Sequence, residues 1–390
     1  MTSHQFRRLS AATRLYYGEN SLRSLPVELD RVSGKRAIIF ASSSVAASPG
    51  LLDKVTGTLA GRARTVIDCV RAQSPIDSVV IAAEAIRRSN ADCIIAIGGG
   101  SAIVTARAAN ILAAEGDDIQ RLCSQRLADG TWTSPKLTAP KLPQFVIPTT
   151  PTTAIAKAGS AIVEPAERRR FTMFDPKTRA SAVFIHPEFA LSAPDHLVLT
   201  ASFNVLAMAV EGLSGIGANP ISDAYLMQSL RLLSRHLPAA RAGMSEADRR
   251  GELMLAAFLC GQGTDDASPG IAAALGHVLG ERTRVPNGAI NAVLLPHTMR
   301  FNAAATERGL SQVSESLGAH DAELDRAAPM HAVEALLRLA GAPGRLRDLG
   351  MMQTDLEPIP SLAAQDWFYY QNPRKIDSDQ QMLDLLTAAW

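Results

Sequence analysis

The chain has 390 residues, 47% of them hydrophobic and 20% charged, and a formal net charge of +1 at pH 7. That length supports two domains with buried cores, and the composition is that of an ordinary globular protein. A balance so near neutrality gives no electrostatic basis for binding nucleic acid or a membrane surface, and aromatics at 5% leave little for base stacking.

The opening stretch, residues 1–8, has no apolar leader core, and no run approaches the ~18 apolar residues of a membrane helix. The first strand signal in the apolar pattern is 37–41. A helix over 51–59, a strand over 63–69 and a helix over 76–89 follow. Next comes a buried strand, 93–97, which ends in Gly98-Gly99-Gly100-Ser101 and passes at once into a helix. Glycine lets a backbone approach an anion closely, and the N–H groups of a helix start point at it, so this is the pattern of a phosphate cradle. Residues 124–143 are turn-rich and aperiodic, a surface excursion before the strand 144–148. Residues 171–185 read as strands or a hairpin, with Asp175-Pro176 at the turn.

Strand–helix alternation implies a mostly parallel sheet covered on both faces. Ligands on such sheets bind beyond the carboxyl ends of the strands, where Ser42 to Ser44, Gly98 to Ser101 and Thr149 to Thr153 fall. From about Thr200 the pattern becomes helical: 205–213, 222–237, 246–262, 271–280, 290–302, 306–317, 330–340 and a last helix over 380–390. The expected division is an α/β nucleotide-binding domain, 1–195, and an all-helical domain, 196–390. Of the four cysteines, Cys69, Cys93, Cys123 and Cys260, none stands at CxxC or metal-ligand spacing. Cys93 and Cys260 lie in apolar stretches and read as core, and the set implies a reducing, cytoplasmic compartment.

These pieces, in this order, resemble the iron-containing alcohol dehydrogenase superfamily, with its dehydroquinate synthase-like fold. Gly98-Gly99-Gly100-Ser101 is similar to the family's GGGS, and Pro148-Thr149-Thr150 with Thr153 to its PTTAGT. Phe174-Asp175-Pro176, 185–192 and 204–211 are similar to its D-P-E-L-T-L and D-A-L-x-H-A-I-E stretches. His277 to Gly280, Val285 to Ala289 and 291–302 follow its long C-terminal block. Asn204 and the closing Asn372-Pro373-Arg374 resemble the maleylacetate reductase branch most.

The resemblance implies a nicotinamide cofactor whose pyrophosphate meets Gly98, Gly99, Gly100 and Ser101, with Thr149, Thr150 and Thr153 lining it. Ser42 stands where many NAD-preferring relatives place an Asp that repels a 2′-phosphate, so NADPH is expected to be accepted or preferred. Val104 and Arg107 replace the family's Asp and Lys, and 154–157 replaces its G-S-E-V loop.

Metal-dependent relatives hold Fe²⁺ or Zn²⁺ with one Asp and three His. At those positions stand Asn204, Met208, Ala273 and Asn287. A neutral amide is a weak ligand, a thioether is too soft and a methyl group cannot coordinate, so the expectation is no metal. Without one, His277, Asn204 and Asn287 are the candidates to donate to a substrate oxygen. A histidine simply packed within its helix is an equal reading of His277. Met208 and Ala273 would shape the substrate pocket. Arg282 and Arg284 would fork a substrate carboxylate or else form a solvated loop. His297 reads as structural, and His186 carries no assigned chemistry.

The leading expectation is a metal-independent NAD(P)H-dependent oxidoreductase of a small carbonyl or enone substrate, similar to maleylacetate reductases. The alternatives are a lyase, dehydratase or cyclase on the same fold, and a non-catalytic partner subunit. The resemblance also implies a homodimer or larger homo-oligomer, with the edge strand 13–18 as a contact.

Overall fold

The computed structural model describes residues 6–9, 12–127, 129–166, 169–238, 245–318 and 327–390. The expectation for the first eight residues thus falls partly, over 1–5, outside the described residues. The chain divides into two compact units. One holds Ser10–Pro194 with Glu246–Met254. The other holds Met1–Leu9, Asp195–Ser245 and Leu255–Trp390.

The sheet unit is built on β1 (Arg14–Tyr17), β2 (Ala37–Ala41), β3 (Ala63–Ile67), β4 (Cys93–Gly98), β5 (Gln144–Pro148) and β6 (Ala180–Ile185). All neighbours run parallel, in the order β1-β6-β5-β4-β2-β3. Strands β2, β4 and β5 are buried along their whole length, which is why they read as unbroken apolar runs rather than alternating ones. The connecting helices include α1 (Leu25–Arg31), α2 (Pro49–Thr58), α3 (Ile76–Ser89) and α4 (Gly100–Glu115). The chain steps outward from β2 to β3, then returns to place β4 on the other side of β2. The sheet's winding therefore reverses between β2 and β4, and a crevice at that reversal is where open parallel sheets take their ligands.

Of the two readings of residues 171–185, the strands hold and the hairpin does not. The strand Arg169–Phe174 pairs antiparallel with Gly159–Glu164, while β6, beyond a turn over Pro176–Thr178, enters the main sheet. The turn does fall at Asp175, whose carboxylate caps it through Lys177 N–H at 3.0 Å. The excursion 124–143 carries a two-residue ladder, Gln125–Arg126 against Trp132–Thr133.

The other unit is helical, with α5 (Asp195–Leu213), α6 (Pro220–His236), α7 (Glu246–Gly263), α8 (Ile271–Thr283), α9 (Asn287–Asn302), α10 (Glu307–Leu317), α11 (Ala328–Leu339) and α12 (Asp379–Ala389). The first half of α7 groups with the sheet unit, where Arg250 donates to the carbonyls of Ala190 and Ala193. Helix α6 begins with a capping box between Asn219 and Ser222, with Pro220 at its first position. Helix α5 starts about ten residues earlier than its apolar pattern, because its first turns, Asp195 onward, are partly polar. It also amends the expectation about membrane helices. It is long and apolar enough to cross a membrane by length and composition. Most of it is buried inside the fold, and its chain includes Asn204 and Glu211, so a core helix meets the same measure.

Candidate functional site

At the reversal of the sheet, β2 ends at Ser42 and β4 ends in the glycines. Ala41 pairs with Ile97 and Gly98 with Pro148, so Ser42, Gly98 and Pro148 lie level, with Thr149 one residue beyond. Gly98 has φ +147°, and its carbonyl accepts from Thr149 N–H at 3.1 Å. A Cβ on Gly98 would lie 2.8 Å from Ser42 Cβ and 2.9 Å from Ala102 Cβ. On Gly99 it would meet Thr150 Oγ1 at 2.9 Å, and on Gly100 Thr152 Oγ1 at 3.0 Å. The glycines thus let three hydroxyl-bearing residues close on the start of α4. Ala102 and Ile103 N–H turn back to the Gly99 carbonyl, which leaves the amides of Gly100 and Ser101 among the helix's unsatisfied first donors. Those amides and the positive end of a 16-residue helix suit a phosphate oxygen.

The Ser101 side chain accepts from Gln73 N–H at 3.2 Å, and the Ser101 carbonyl accepts from Ser74 Oγ at 3.1 Å. Gln73 and Ser74 both adopt left-handed backbone, with φ +63° and +52°. Thr149, Thr150 and Thr153 are all buried, Thr153 in a short turn whose cap is Thr152. Nothing in the motif alone singled out Thr152.

The departures at 107 and 154–157 turn out to be one feature. Arg107 is completely buried and donates to the carbonyls of Ala154 (2.7 Å) and Gly159 (2.8 Å). Arg179 donates to the Ala156 carbonyl at 2.6 Å, and Thr178 Oγ1 to that of Ala158 at 3.3 Å. Side chains from two elements therefore hold the backbone of this loop.

In the helical unit, Asn204 and Met208 face the same way one turn apart on α5, with Asn204 Nδ2 donating to Met208 Sδ at 3.5 Å. The amides of Asn204 and Asn291 share a hydrogen bond of 2.9 Å. Asn287 opens α9, and its Oδ1 lies so close to Gly280 that a Cβ there would clash with it. Gly288 allows α9 to press on the Thr200 carbonyl, with Asn204 N next nearest. Ala273 is buried in α8, one turn before His277. Asn204, Met208 and Asn291 are thus brought together, with the start of α9 against them. Among the described residues no group of three or more His, Cys, Asp or Glu could hold a metal ion.

His277 Nδ1 lies 2.8 Å from Asp366 Oδ2, a partner that sequence reasoning missed because 89 residues separate the two. Arg282 and Arg284 are both exposed at the end of α8, Arg284 with φ +62°. Burial lowers the pKa of His297, and His186 caps a short helix by accepting Glu188 N–H at 3.2 Å. Cys93 and Cys260 are buried, as is Cys123.

Residues 12–187 match the model of the iron-containing alcohol dehydrogenase family, and residues 198–390 match that of the Fe-containing alcohol dehydrogenase family, C-terminal. The chain belongs to the iron-containing alcohol dehydrogenase superfamily, a class of oxidoreductases. Within it, the chain is 28% identical over 382 residues to lactaldehyde reductase of Escherichia coli (strain K12), covering 96% of this chain and 97% of that one. It is equally 28% identical over 387 residues to maleylacetate reductase of Pseudomonas aeruginosa, covering 99% and 97%. Among solved structures, a 1,3-propanediol oxidoreductase superposes with a TM-score of 0.89 at 25% identity over 98% of this chain and 100% of that chain. Maleylacetate reductase from Agrobacterium tumefaciens does so with a TM-score of 0.81 at 24% identity, over 99% and 98%.

Proposed function

We propose that this chain is an NAD(P)H-dependent reductase of a small carbonyl or enone substrate that bears a carboxylate, and that it works without the family's metal. The observation that carries this reading is the contrast between two sites. The glycine cradle is packed to the closeness that only glycine permits, while the metal positions hold two amides, a thioether and a methyl group.

A nucleotide cofactor fits the sheet unit. Gly98, Gly99, Gly100 and Ser101 would hold its pyrophosphate, Ser42 its ribose end, and Thr149, Thr150 and Thr153 its flank. When bound, the reduced nicotinamide supplies a hydride to the substrate carbon. With no carboxylate over 42–44 to repel a 2′-phosphate, NADPH is accepted alongside NADH.

A divalent cation does not fit the helical unit. Asn204 shares a hydrogen bond with Asn291 and gives one Nδ2 proton to Met208, which leaves it at most one proton for a ligand, and Ala273 offers no donor. Oxyanion charge that a metal would have neutralised is then met by hydrogen bonds from His277, Asn204 and Asn287. Arg282 and Arg284 supply exposed guanidinium forks for the carboxylate.

The test is turnover of maleylacetate and of lactaldehyde with NADPH or NADH, followed by loss of reduced-cofactor absorbance with and without a chelator. The expected result is reduction of at least the carboxylate-bearing substrate at a rate the chelator leaves unchanged. Failure of both nucleotides to bind would instead favour a lyase, dehydratase or cyclase activity on this fold.

A further inference from the structure

His277 stands midway along α8, and its ring meets a short segment near the C-terminus. Asp366 caps the turn Trp367–Gln371: its Oδ1 accepts Phe368 N–H at 2.8 Å. Its other oxygen, Oδ2, lies 2.8 Å from His277 Nδ1. The Phe368 ring that follows the cap packs on the imidazole, with centroids 5.6 Å apart. One carboxylate thus fixes both the hydrogen bond of the imidazole and the aromatic wall against it. The two side chains are only 14% and 16% exposed, so water screens the contact weakly.

An ionised carboxylate only accepts hydrogen bonds. Facing one at 2.8 Å, Nδ1 carries the proton, and Nε2 becomes the nitrogen whose protonation changes. We propose that Asp366 is the positioning residue for His277, holding its imidazole in the Nδ1–H form so that Nε2 exchanges a proton with the substrate oxygen. The inference rests on the reductase reading above. In the reducing direction the Nε2–H bond of the imidazolium breaks and an O–H bond forms on the substrate alkoxide. The imidazole is left neutral, its Nδ1–H still on Asp366, and water returns the proton. Asp366 itself stays ionised and orients the ring throughout, as the buried carboxylate does in other His–Asp pairs.

The informative variant is Asp366→Asn. It keeps the shape and an oxygen to cap Phe368, but it presents an N–H₂ group to Nδ1, which then must accept. Nitrogen-15 NMR of histidine-labelled protein, with His277 assigned from a His277→Gln sample, reads the tautomer directly. The expected spectrum shows neutral His277 as Nδ1–H in the unaltered protein and as Nε2–H in the variant. With maleylacetate and NADH as probes, kcat falls by about 10²–10⁴-fold, the range for loss of a positioned proton donor. The KM and the Kd for NADH stay unchanged. An Nε2–H tautomer in the unaltered protein would overturn the proposal, and so would a variant with the same tautomer and kcat. If neither maleylacetate nor lactaldehyde is reduced, the functional reading fails, and the tautomer comparison still decides the role of Asp366.

Discussion

Glu211 lies in the core of the helical unit with both carboxylate oxygens on backbone N–H groups. Oε2 accepts from Gly270 and Ala273, and Oε1 from Ala272, so one side chain caps the whole start of α8. Burial, the largest influence, pushes its pKa up to about 7 against the downward pull of those three donors. The folded chain then binds more protons than the unfolded one between the ordinary value of 4.5 and about 7. The stabilising contribution of this group is complete below the unfolded value and is lost as pH rises through the folded one. Glu211→Gln removes that titration. The expected result, from denaturant melts at a series of pH values, is an advantage of the unaltered protein over the variant that shrinks as pH rises across this window. A difference that stays constant with pH would show that the carboxylate does not titrate there.

At the scale of elements, the loop after Thr153 depends on a cation from another part of the fold. Arg107 lies within α4, whose start is the phosphate cradle, and reaches the carbonyls of Ala154 and Gly159 from a fully buried position. Cradle and loop are thus mechanically one piece. Arg107→Met keeps much of the volume but leaves two buried carbonyls without a charged donor, at an expected cost of about 3 kcal/mol. Hydrogen exchange of residues 154–159 should quicken in that variant while exchange in β4 and β5 stays slow. Equal protection in both proteins would mean that the guanidinium does not hold the loop.

The same element shows what the sequence could and could not reveal. The strand 93–98 and the helix after it were legible because a buried apolar run, three glycines and a helical run follow each other locally. The reach of Arg107 to residues 47 and 52 positions away was not, since nothing in spacing says where a buried cation will find carbonyls. The strand Gly159–Glu164 was missed for a related reason. Its apolar residues are few, and what makes it a strand is the partner Arg169–Phe174. In the helical unit the quartet Asn204, Met208, Ala273 and Asn287 was singled out through family resemblance, residue by residue. Asn291 and Asp366 were not, because each acquires its meaning only from a side chain on another helix or turn.

For the molecule as a whole, the family fold is retained, and its function resides in sites rather than in the fold itself. The sheet unit keeps the strand order, the reversal between β2 and β4 and the glycine start of α4 that a nucleotide needs. In the helical unit, Asn204 meets Met208 and Asn291 through amide and thioether contacts, and a His–Asp pair lies midway along α8. A reductase without metal is the reading that joins these facts. Its most direct test is calorimetric titration of the purified chain with NADPH and NADH, on the sample whose metal content has been measured by elemental analysis. A ligand that binds only the folded state must also raise the melting temperature. The account predicts saturable binding of both nucleotides by protein carrying far less than one metal ion per chain. Stoichiometric iron or zinc in that sample, or the absence of binding by either nucleotide, would contradict it.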